Sequence, residues 1–137
     1  MRVLITGGAG FIGANLSRHL VDEGHDVVVL DDFSTGSREN LAAAPVRLVE
    51  GTILSASDLD CVMEGVDTVV HLAARPSVPR SIQDPMASHL VNATGTTEML
   101  EAVRRATGPQ GNSAQVIVAS SSSVYGSNPT LPKSEAL

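Results

Sequence analysis

The sequence predicts an α/β fold built on a doubly wound parallel sheet. Short apolar runs alternate with helical patterns along the 137 residues. A glycine cluster follows the first apolar run directly, and an acidic residue follows the second. Alternating strands and helices imply right-handed crossovers and a parallel sheet covered on both faces. Ligands bind such sheets beyond the carboxyl ends of the strands, so the residues that follow each run carry the functional information.

The apolar runs place five strands, and periodicity places the helices between them. The predicted strands are residues 3–5, 26–30, 46–50, 68–71 and 115–119. The second strand is continuously apolar after one acid, which is typical of burial on both faces. Ile12, Leu16 and Leu20 recur every four residues and predict the buried face of a first helix that ends near Gly24. A short second helix is predicted over residues 58–63.

A long third helix is predicted to begin at Pro85, with Asp84 as its N-terminal cap. Gly108-Pro109 is predicted to stop it, and the polar residues after Gly126 are predicted to form a loop. Its predicted buried stripe consists of Met86, Leu90, Ala93, Leu100 and Val103.

Composition narrows the range of partners. Nine basic and 15 acidic residues give a formal charge of −6, with no basic tract and only three aromatic residues, Phe11, Phe33 and Tyr125. Clustered cations and stacking platforms for nucleic acid are therefore missing. No stretch approaches the ~20 apolar residues that cross a bilayer, and the first strand leaves no room for a signal peptide. The single cysteine, Cys61, suits a reducing compartment, so we expect a cytoplasmic protein.

The strongest chemical signal is a glycine motif between the first strand and the first helix. Gly7, Gly10 and Gly13 form G-x-x-G-x-x-G. Gly7 permits a tight turn, Gly10 removes a side chain where a pyrophosphate would approach, and Gly13 allows close packing. The helix N-terminus adds free N–H groups and positive dipole. The motif in this context predicts a Rossmann-type sheet. The sequence contains only five predicted strands, so we expect this sheet to be truncated after about five strands.

Asp31 follows the second strand, about twenty residues beyond the glycines. An acid at this position can hydrogen-bond the adenosine ribose hydroxyls and repel a 2′-phosphate, which favours NAD over NADP. The alternative is that Asp31 only caps the next turn. The pattern assigns a cofactor contact less clearly to Asp32, for which the alternative is a side chain that faces solvent. Arg38 is close enough in sequence to leave some tolerance of NADP open.

Five landmarks together resemble the extended short-chain dehydrogenase/reductase family, within its NAD-dependent epimerase/dehydratase group. They are TGGAGFIG at residues 6–13, DDFSTG at 31–36 with Asn40-Leu41, HLAA at 71–74, NATGT at 92–96 and SSSSVYG at 120–126. The segment 75–81 with Asp84-Pro85 is most similar to members that act on UDP-sugars. The resemblance covers essentially the whole chain and is nearest to nucleotide-sugar 4-epimerases, which invert C4 of a UDP-hexose through a 4-keto intermediate.

The resemblance implies roles for individual residues. Ser121 matches the catalytic Ser/Thr of the family, and Ser122 and Ser123 would contact the substrate. From the residues alone, the serine run reads equally well as a polar loop. Dehydratases of the family carry acids in place of these serines, which counts against dehydration. The implied cofactor is NAD and no metal is implied; the implied cofactor-binding residues are Gly7, Gly10, Phe11, Ile12, Gly13, Asp31, Asp32, Ser34, Thr35, Gly36, Thr52, Ile53, Leu72, Ala73, Ala74, Arg75 and Asn92.

Two departures from the family pattern qualify these expectations. Thr52 stands where the family has an aspartate that accepts from the adenine amino group, and we expect a loss of about 1 kcal/mol in NAD binding. The family's Tyr-x-x-x-Lys pair is not found, and Tyr125 does not match its tyrosine. Residues 1–137 are therefore expected to be an incomplete NAD-binding Rossmann domain that is inactive alone. The resemblance also implies that residues 87–106 supply one of the helices of the family's dimer interface. The alternatives are a non-catalytic NAD-sensing module, or another NAD-dependent nucleotide-sugar dehydratase, decarboxylase or reductase.

Overall fold

A computed structural model describes residues 1–106 and 114–136, and its centre is one parallel sheet. The five strands are β1 (Arg2–Thr6), β2 (Asp26–Asp31), β3 (Arg47–Glu50), β4 (Thr68–His71) and β5 (Gln115–Val118). They are ordered β3-β2-β1-β4-β5, and every neighbouring pair is parallel. The fold class is confirmed, and no predicted strand boundary is wrong by more than one residue.

The order of the strands reverses beside β1, which pairs with β2 on one side and β4 on the other. Such a reversal leaves a crevice at the carboxyl ends of the two strands that flank it. Each face of the sheet carries its own core. One core includes Leu4 and Val28, and the other includes Ile5 and Val29. Burial on both faces explains why β2 is continuously apolar, as predicted.

Helix α1 (Phe11–Asp22) follows the glycine motif and covers one face. It ends before Gly24, whose φ of +83° confirms the predicted stop. The predicted buried face is wrong at Ile12, which is 66% exposed. Gly13, Ala14 and Ser17 are the buried residues instead, because the helix lies so close that only small side chains fit.

The opposite face is covered by α2 (Ala56–Met63) and by a helical run that begins at residue 78. The run consists of α3 (Val78–Gln83), α4 (Pro85–His89), a π-helical segment (Leu90–Gly95) and α5 (Thr96–Ala106). Asp84 caps α4 by accepting a 3.0 Å hydrogen bond from Ala87 N, as predicted. The π-helical segment was not predicted. The predicted stop at Gly108-Pro109 lies outside the described residues.

The predicted buried stripe of this run is wrong at four of its five positions. Met86, Leu90, Ala93 and Leu100 are exposed, whereas Val103 is buried. The run carries two apolar stripes, and the sheet selects the one that contains Gly95, Met99 and Ala102. Gly95 allows this close approach, because a Cβ there would lie 2.5 Å from Ile53 Cδ1.

The remaining described segments contain only short helical turns. Two 3₁₀ turns cover Arg38–Leu41 and Ser122–Tyr125. Residues 126–136 form neither helix nor strand, which confirms the predicted loop. Over residues 1–106 and 114–136, the helices are all too short or too polar to cross a membrane.

Candidate functional site

A cleft of about 970 Å³ opens at the carboxyl ends of the strands. Its lining comes from the glycine motif after β1, the residues that follow β2, β3, β4 and β5, and the helical run. The cleft therefore lies at the crevice that the reversed strand order creates.

The glycine motif shapes one wall of the cleft through contacts that only glycine permits. Gly7 has a φ of +72°, and a Cβ there would lie 2.7 Å from Ala73 N. A Cβ at Gly13 would lie 2.5 Å from Gly8 Cα, so α1 packs directly on the turn. At Gly10 a Cβ would approach only Gly7 O, at 3.4 Å. The Gly10 position is thus open to the cleft, whereas Gly7 and Gly13 are closed by neighbouring protein atoms.

The N-terminus of α1 faces this open space. Gly10 is its N-cap residue and has no side chain to accept a hydrogen bond from the first turn. The first N–H groups of a helix have no partner within the helix, and they carry the positive end of its dipole. Phe11 and Ile12 line the cleft and are 84% and 66% exposed. The wall therefore offers backbone donors for an anion, flanked by apolar surface.

Asp31 is buried at the end of β2, with 8% of its surface exposed. Its Oδ2 accepts from Ala9 N and its Oδ1 accepts from Phe33 N, both at 2.8 Å. The carboxylate therefore ties the glycine motif to the turn after β2, so it does cap that turn. Because each carboxylate oxygen can accept a further hydrogen bond and Asp31 also lines the cleft, capping does not exclude a ligand.

The residues after Asp31 form a tight loop that packs against the glycine motif. Asp32 Oδ1 accepts from Ser34 N at 2.9 Å. Gly36 is packed against Ala9, where a Cβ would lie 2.8 Å from the Ala9 carbonyl carbon. Arg38 lies over the Phe33 ring, 4.5 Å from its centre, and pairs with Glu50. The guanidinium thus has partners within the chain.

Thr52 lies at the end of the cleft beyond β3, and its polar atoms are engaged by its neighbours. Its Oγ1 accepts from Leu54 N at 3.2 Å, and its N donates to Asp58 Oδ2 at 3.0 Å. The carboxylate of Asp58 therefore lies beside the position where the family pattern has an acid.

The turn after β4 crosses the middle of the cleft and is fastened to the π-helical segment. Asn92 Oδ1 accepts from Arg75 N at 2.7 Å, and Asn92 Nδ2 donates to Arg75 O at 3.2 Å. The side chain of Asn92 thus pairs with both backbone groups of Arg75. The small side chains of Ala73 and Ala74 leave the backbone of this turn accessible from the cleft.

The serine run follows β5 and is exposed. Ser121 Oγ accepts from Ser123 N at 3.2 Å and lies 3.1 Å from Ser123 Oγ. It therefore caps the 3₁₀ turn that follows, and Ser121 also lines the cleft.

Most sequence-predicted site residues are brought together in this one cleft. Every predicted cofactor residue except Gly36 lines it, as do Ser121 and Ser123. Gly36 and Ser122 are not among the lining residues. Residues that sequence reasoning missed also line the cleft: Leu30, Gly51, His71, Pro76, Ser77, Val78, Ser81, Val91, Thr96, Val118, Ala119 and Ser120.

Two of the missed residues carry a physical signal. Ser77 has a φ of +118°, a strained backbone for a residue with a side chain, and such strain clusters at functional sites. His71 is 4% exposed and hydrogen-bonded through both ring nitrogens. His71 is the last residue of β4 and the first of the HLAA motif, but only the structure shows its partners.

The sheet order, the glycine turn after β1 and the acid at the end of β2 define a Rossmann-type α/β domain. Comparison with known proteins narrows this class. Residues 3–137 match the model of the NAD dependent epimerase/dehydratase family. The chain belongs to that family.

Named relatives agree with this assignment. The chain is 42% identical over 140 residues to UDP-glucose 4-epimerase of Mycolicibacterium smegmatis, covering 98% of this chain and 44% of that protein. Brucella ovis UDP-glucose 4-epimerase in complex with NAD is 35% identical, with a TM-score of 0.87 over 98% of this chain and 40% of that one. The Stenotrophomonas maltophila enzyme with bound NAD and formylated UDP-arabinopyranose is 28% identical, with a TM-score of 0.88 over 98% of this chain and 41% of that one. The chain thus spans less than half the length of these relatives.

Proposed function

We propose that this chain is the NAD-binding part of a nucleotide-sugar 4-epimerase that acts on a UDP-hexose. The observation that carries the proposal is the meeting, in one cleft, of the glycine turn, the Asp31 carboxylate and the Ser121 turn. The first two fit a dinucleotide, and the third places a hydroxyl at the far side of the same cleft. The relatives named above are UDP-glucose 4-epimerases, which supports this choice of reaction.

The cleft fits NAD in its charge and its shape. The N-terminus of α1 suits a pyrophosphate, and Gly10 leaves room for it because the only atom beyond its chain neighbours near its Cβ position is Gly7 O, at 3.4 Å. Asp31 keeps acceptor capacity for the ribose hydroxyls and opposes a 2′-phosphate. Arg38, the cation that could tolerate that phosphate, is paired with Glu50 within the chain. These features favour NAD over NADP.

Bound NAD would supply the oxidant that accepts hydride from the sugar. The residues of this chain would position it. Ser121 would hydrogen-bond the hydroxyl at C4 and help to move its proton, and Ser123 would contact the sugar beside it. Ser122 does not line the cleft, so we assign it no more than a supporting contact in the complete enzyme. We propose that the chain alone does not turn over substrate, because the base expected of the family is not among its 137 residues.

A thermal-melt titration with NAD and with NADP tests the cofactor assignment. A ligand that binds only the folded state stabilises it by about 2.7 kcal/mol at a hundredfold excess over its dissociation constant. We expect NAD to raise the melting temperature clearly and NADP to raise it less. No shift in a cooperatively folded sample would refute the proposal for this chain. An equal shift with both cofactors would refute the role of Asp31.

We also propose that the protein is cytoplasmic and that the helical run over residues 87–106 contributes to a homodimer. The outer stripe exposes Leu90 and Leu100 together with Met86, which directly precedes residue 87; Met86, Leu90 and Leu100 are 74%, 47% and 45% exposed. Three apolar side chains on one helix face favour a protein contact. Sedimentation should show a dimer that Leu100→Glu dissociates and that Glu101→Gln, one residue along, leaves intact. A monomer at all concentrations would contradict this part of the proposal.

A further inference from the structure

A chain of hydrogen bonds joins β1, β4 and α5 along the cleft, and its central group is the buried imidazole of His71. His71 Nδ1 lies 2.7 Å from Thr6 Oγ1, and Nε2 lies 3.0 Å from Thr96 Oγ1. Thr6 and His71 are partners in the register of the two strands at the reversal of sheet order. We call Thr6, His71 and Thr96 the His71 relay. None of the roles assigned above to the cleft uses it.

The hydrogen bonds of the relay run in one direction only. The Thr96 hydroxyl has a single hydrogen, which it donates to Asn92 O at 2.8 Å. Its oxygen must therefore accept from His71, so Nε2 carries the ring hydrogen. Nδ1 is then an acceptor in the neutral ring, and the Thr6 hydroxyl donates to it. Burial lowers the pKa of His71, which is consistent with this neutral form.

Both ends of the relay lead to the turn at residues 72–75. At the β1 end, Thr6 Oγ1 accepts from Ala73 N at 3.4 Å, and Thr6 O accepts from Leu72 N at 3.0 Å. At the α5 end, the Asn92 residue that receives the Thr96 hydrogen brackets Arg75 with its side chain. The turn is therefore held from two sides by groups that His71 connects.

We propose that His71, as the neutral Nε2–H tautomer, is a positioning residue that fixes the 72–75 turn against the π-helical segment. The proposal rests on the NAD site proposed above, because this turn lies where the cofactor would pass. It also accounts for the π-helical segment, since π-helical turns often mark functional sites. This segment carries Asn92, which pairs with Arg75, and it ends directly before Thr96, which holds His71. Hydrogen-bonded outer partners of this kind commonly orient the groups that touch a ligand.

The test compares two neighbouring threonines that differ in their contact with His71. Thr97 Oγ1 donates to Ala93 O at 3.0 Å, just as Thr96 donates to Asn92 O, but the ring nitrogens of His71 are hydrogen-bonded to Thr6 and Thr96 rather than to Thr97. Thr96→Val removes the hydroxyl that holds Nε2, and Thr97→Val removes an equivalent helix contact as the matched control. Thr96→Ser keeps the hydroxyl and serves as the rescue variant. Cooperative melting of each 137-residue variant establishes that it is folded.

Two measurements are made on each variant. The first is the tautomer of His71, read from the ¹⁵N shifts of its ring nitrogens in the chain without cofactor. The second is NAD affinity by calorimetry. We expect the Nε2–H tautomer in the wild type and in Thr97→Val, and a mixture of tautomers in Thr96→Val. NAD affinity should fall about fivefold or more in Thr96→Val, change less than about twofold in Thr97→Val, and recover in Thr96→Ser.

Several outcomes would overturn the inference. An Nδ1–H tautomer or a charged ring at neutral pH in the wild type would contradict the direction of the relay. Equal NAD affinities for the two valine variants would show that His71 only fills space. If the wild type binds no NAD, the proposed function fails and the positioning role fails with it, whereas the tautomer measured without cofactor still reports on the relay itself.

Discussion

Gly10 and Gly13 belong to one motif, yet the structure predicts that alanine acts on different properties at the two positions. A Cβ at Gly13 would lie 2.5 Å from Gly8 Cα and 2.6 Å from Gly7 O, and both are backbone atoms. A Cβ at Gly10 would meet only Gly7 O, at 3.4 Å, and would project into the cleft. The backbone of Gly10, with φ −73° and ψ 172°, suits any residue. Gly13→Ala should therefore damage the fold, and Gly10→Ala the binding of NAD.

The sizes of the two effects follow from these contacts. Overpacking costs typically about 1–3 kcal/mol, and Gly13→Ala should lie at the upper end because neither neighbour is a side chain that can rotate away. In Gly10→Ala, alanine replaces glycine as an N-cap residue, which costs only about 0.5–1 kcal/mol of unfolding free energy. The same methyl should weaken NAD binding at least about tenfold, since each 1.4 kcal/mol of steric cost in the complex is a factor of ten.

Urea denaturation and calorimetry separate the two effects. Urea gives the free energy of unfolding of each variant without ligand, and calorimetry gives the NAD dissociation constant of the folded variants. Gly10→Ala is expected to remain folded and to bind poorly. NAD binding by Gly10→Ala as tight as in the wild type would contradict the position of its Cβ on the cofactor's path. A Gly13→Ala variant no less stable than Gly10→Ala would contradict the close packing at Gly13.

Three further predictions concern charged or titrating side chains. Asp31→Asn should lose about 1–3 kcal/mol of unfolding free energy in urea, because the amide can accept from only one of the two backbone N–H groups that the carboxylate satisfies. Asp32→Asn keeps its acceptor and should change stability by less than about 0.5 kcal/mol; equal losses would contradict this. Burial lowers the pKa of His71 below 6.5, so the unfolded chain takes up a proton at a higher pH than the folded chain does. The free energy of unfolding should therefore fall as the pH drops below 6.5, by up to about 1.4 kcal/mol per pH unit. His71→Gln should remove that pH dependence. Thr52→Asp should tighten NAD binding about fivefold. Adding Asp58→Asn should tighten it further, because the carboxylate of Asp58 would otherwise repel the new carboxylate at position 52. An unchanged NAD affinity by calorimetry in the single and the double variant would contradict the adenine contact.

The strands and the glycine turn were predictable because their signals are local. Continuous apolar runs mark strands buried on both faces, and β4 falls on the predicted residues. Gly7, Gly10 and Gly13 are spaced for a turn between a strand and a helix, which needs no information from the rest of the chain. Most of the predicted cofactor residues lie on the cleft for the same reason, since they belong to the segments that follow the strands; Asn92, in the π-helical segment, is an exception.

The wrong predictions concern which of two helix faces is buried when both faces carry apolar residues. The helical run carries two apolar stripes, and hydrophobicity alone favoured the one with Met86, Leu90 and Leu100, which is exposed. The sheet takes the other stripe because Gly95 lets the helix approach Ile53. Ile12 has a core residue's chemistry but lies at a helix start that faces the cleft.

The fold class, the strands and the position of the glycine turn could be predicted from local sequence patterns, because these depend on neighbours within a few residues of one another. Which stripe of the long helical run is buried became clear only in the folded chain. The structure also showed that Gly36 closes on Ala9 rather than on the cleft, and that His71 connects Thr6 to Thr96 across 25 and 65 residues of sequence separation. The physical reason is that close packing and buried hydrogen bonds depend on which distant segments the sheet brings together, and no local pattern encodes that choice.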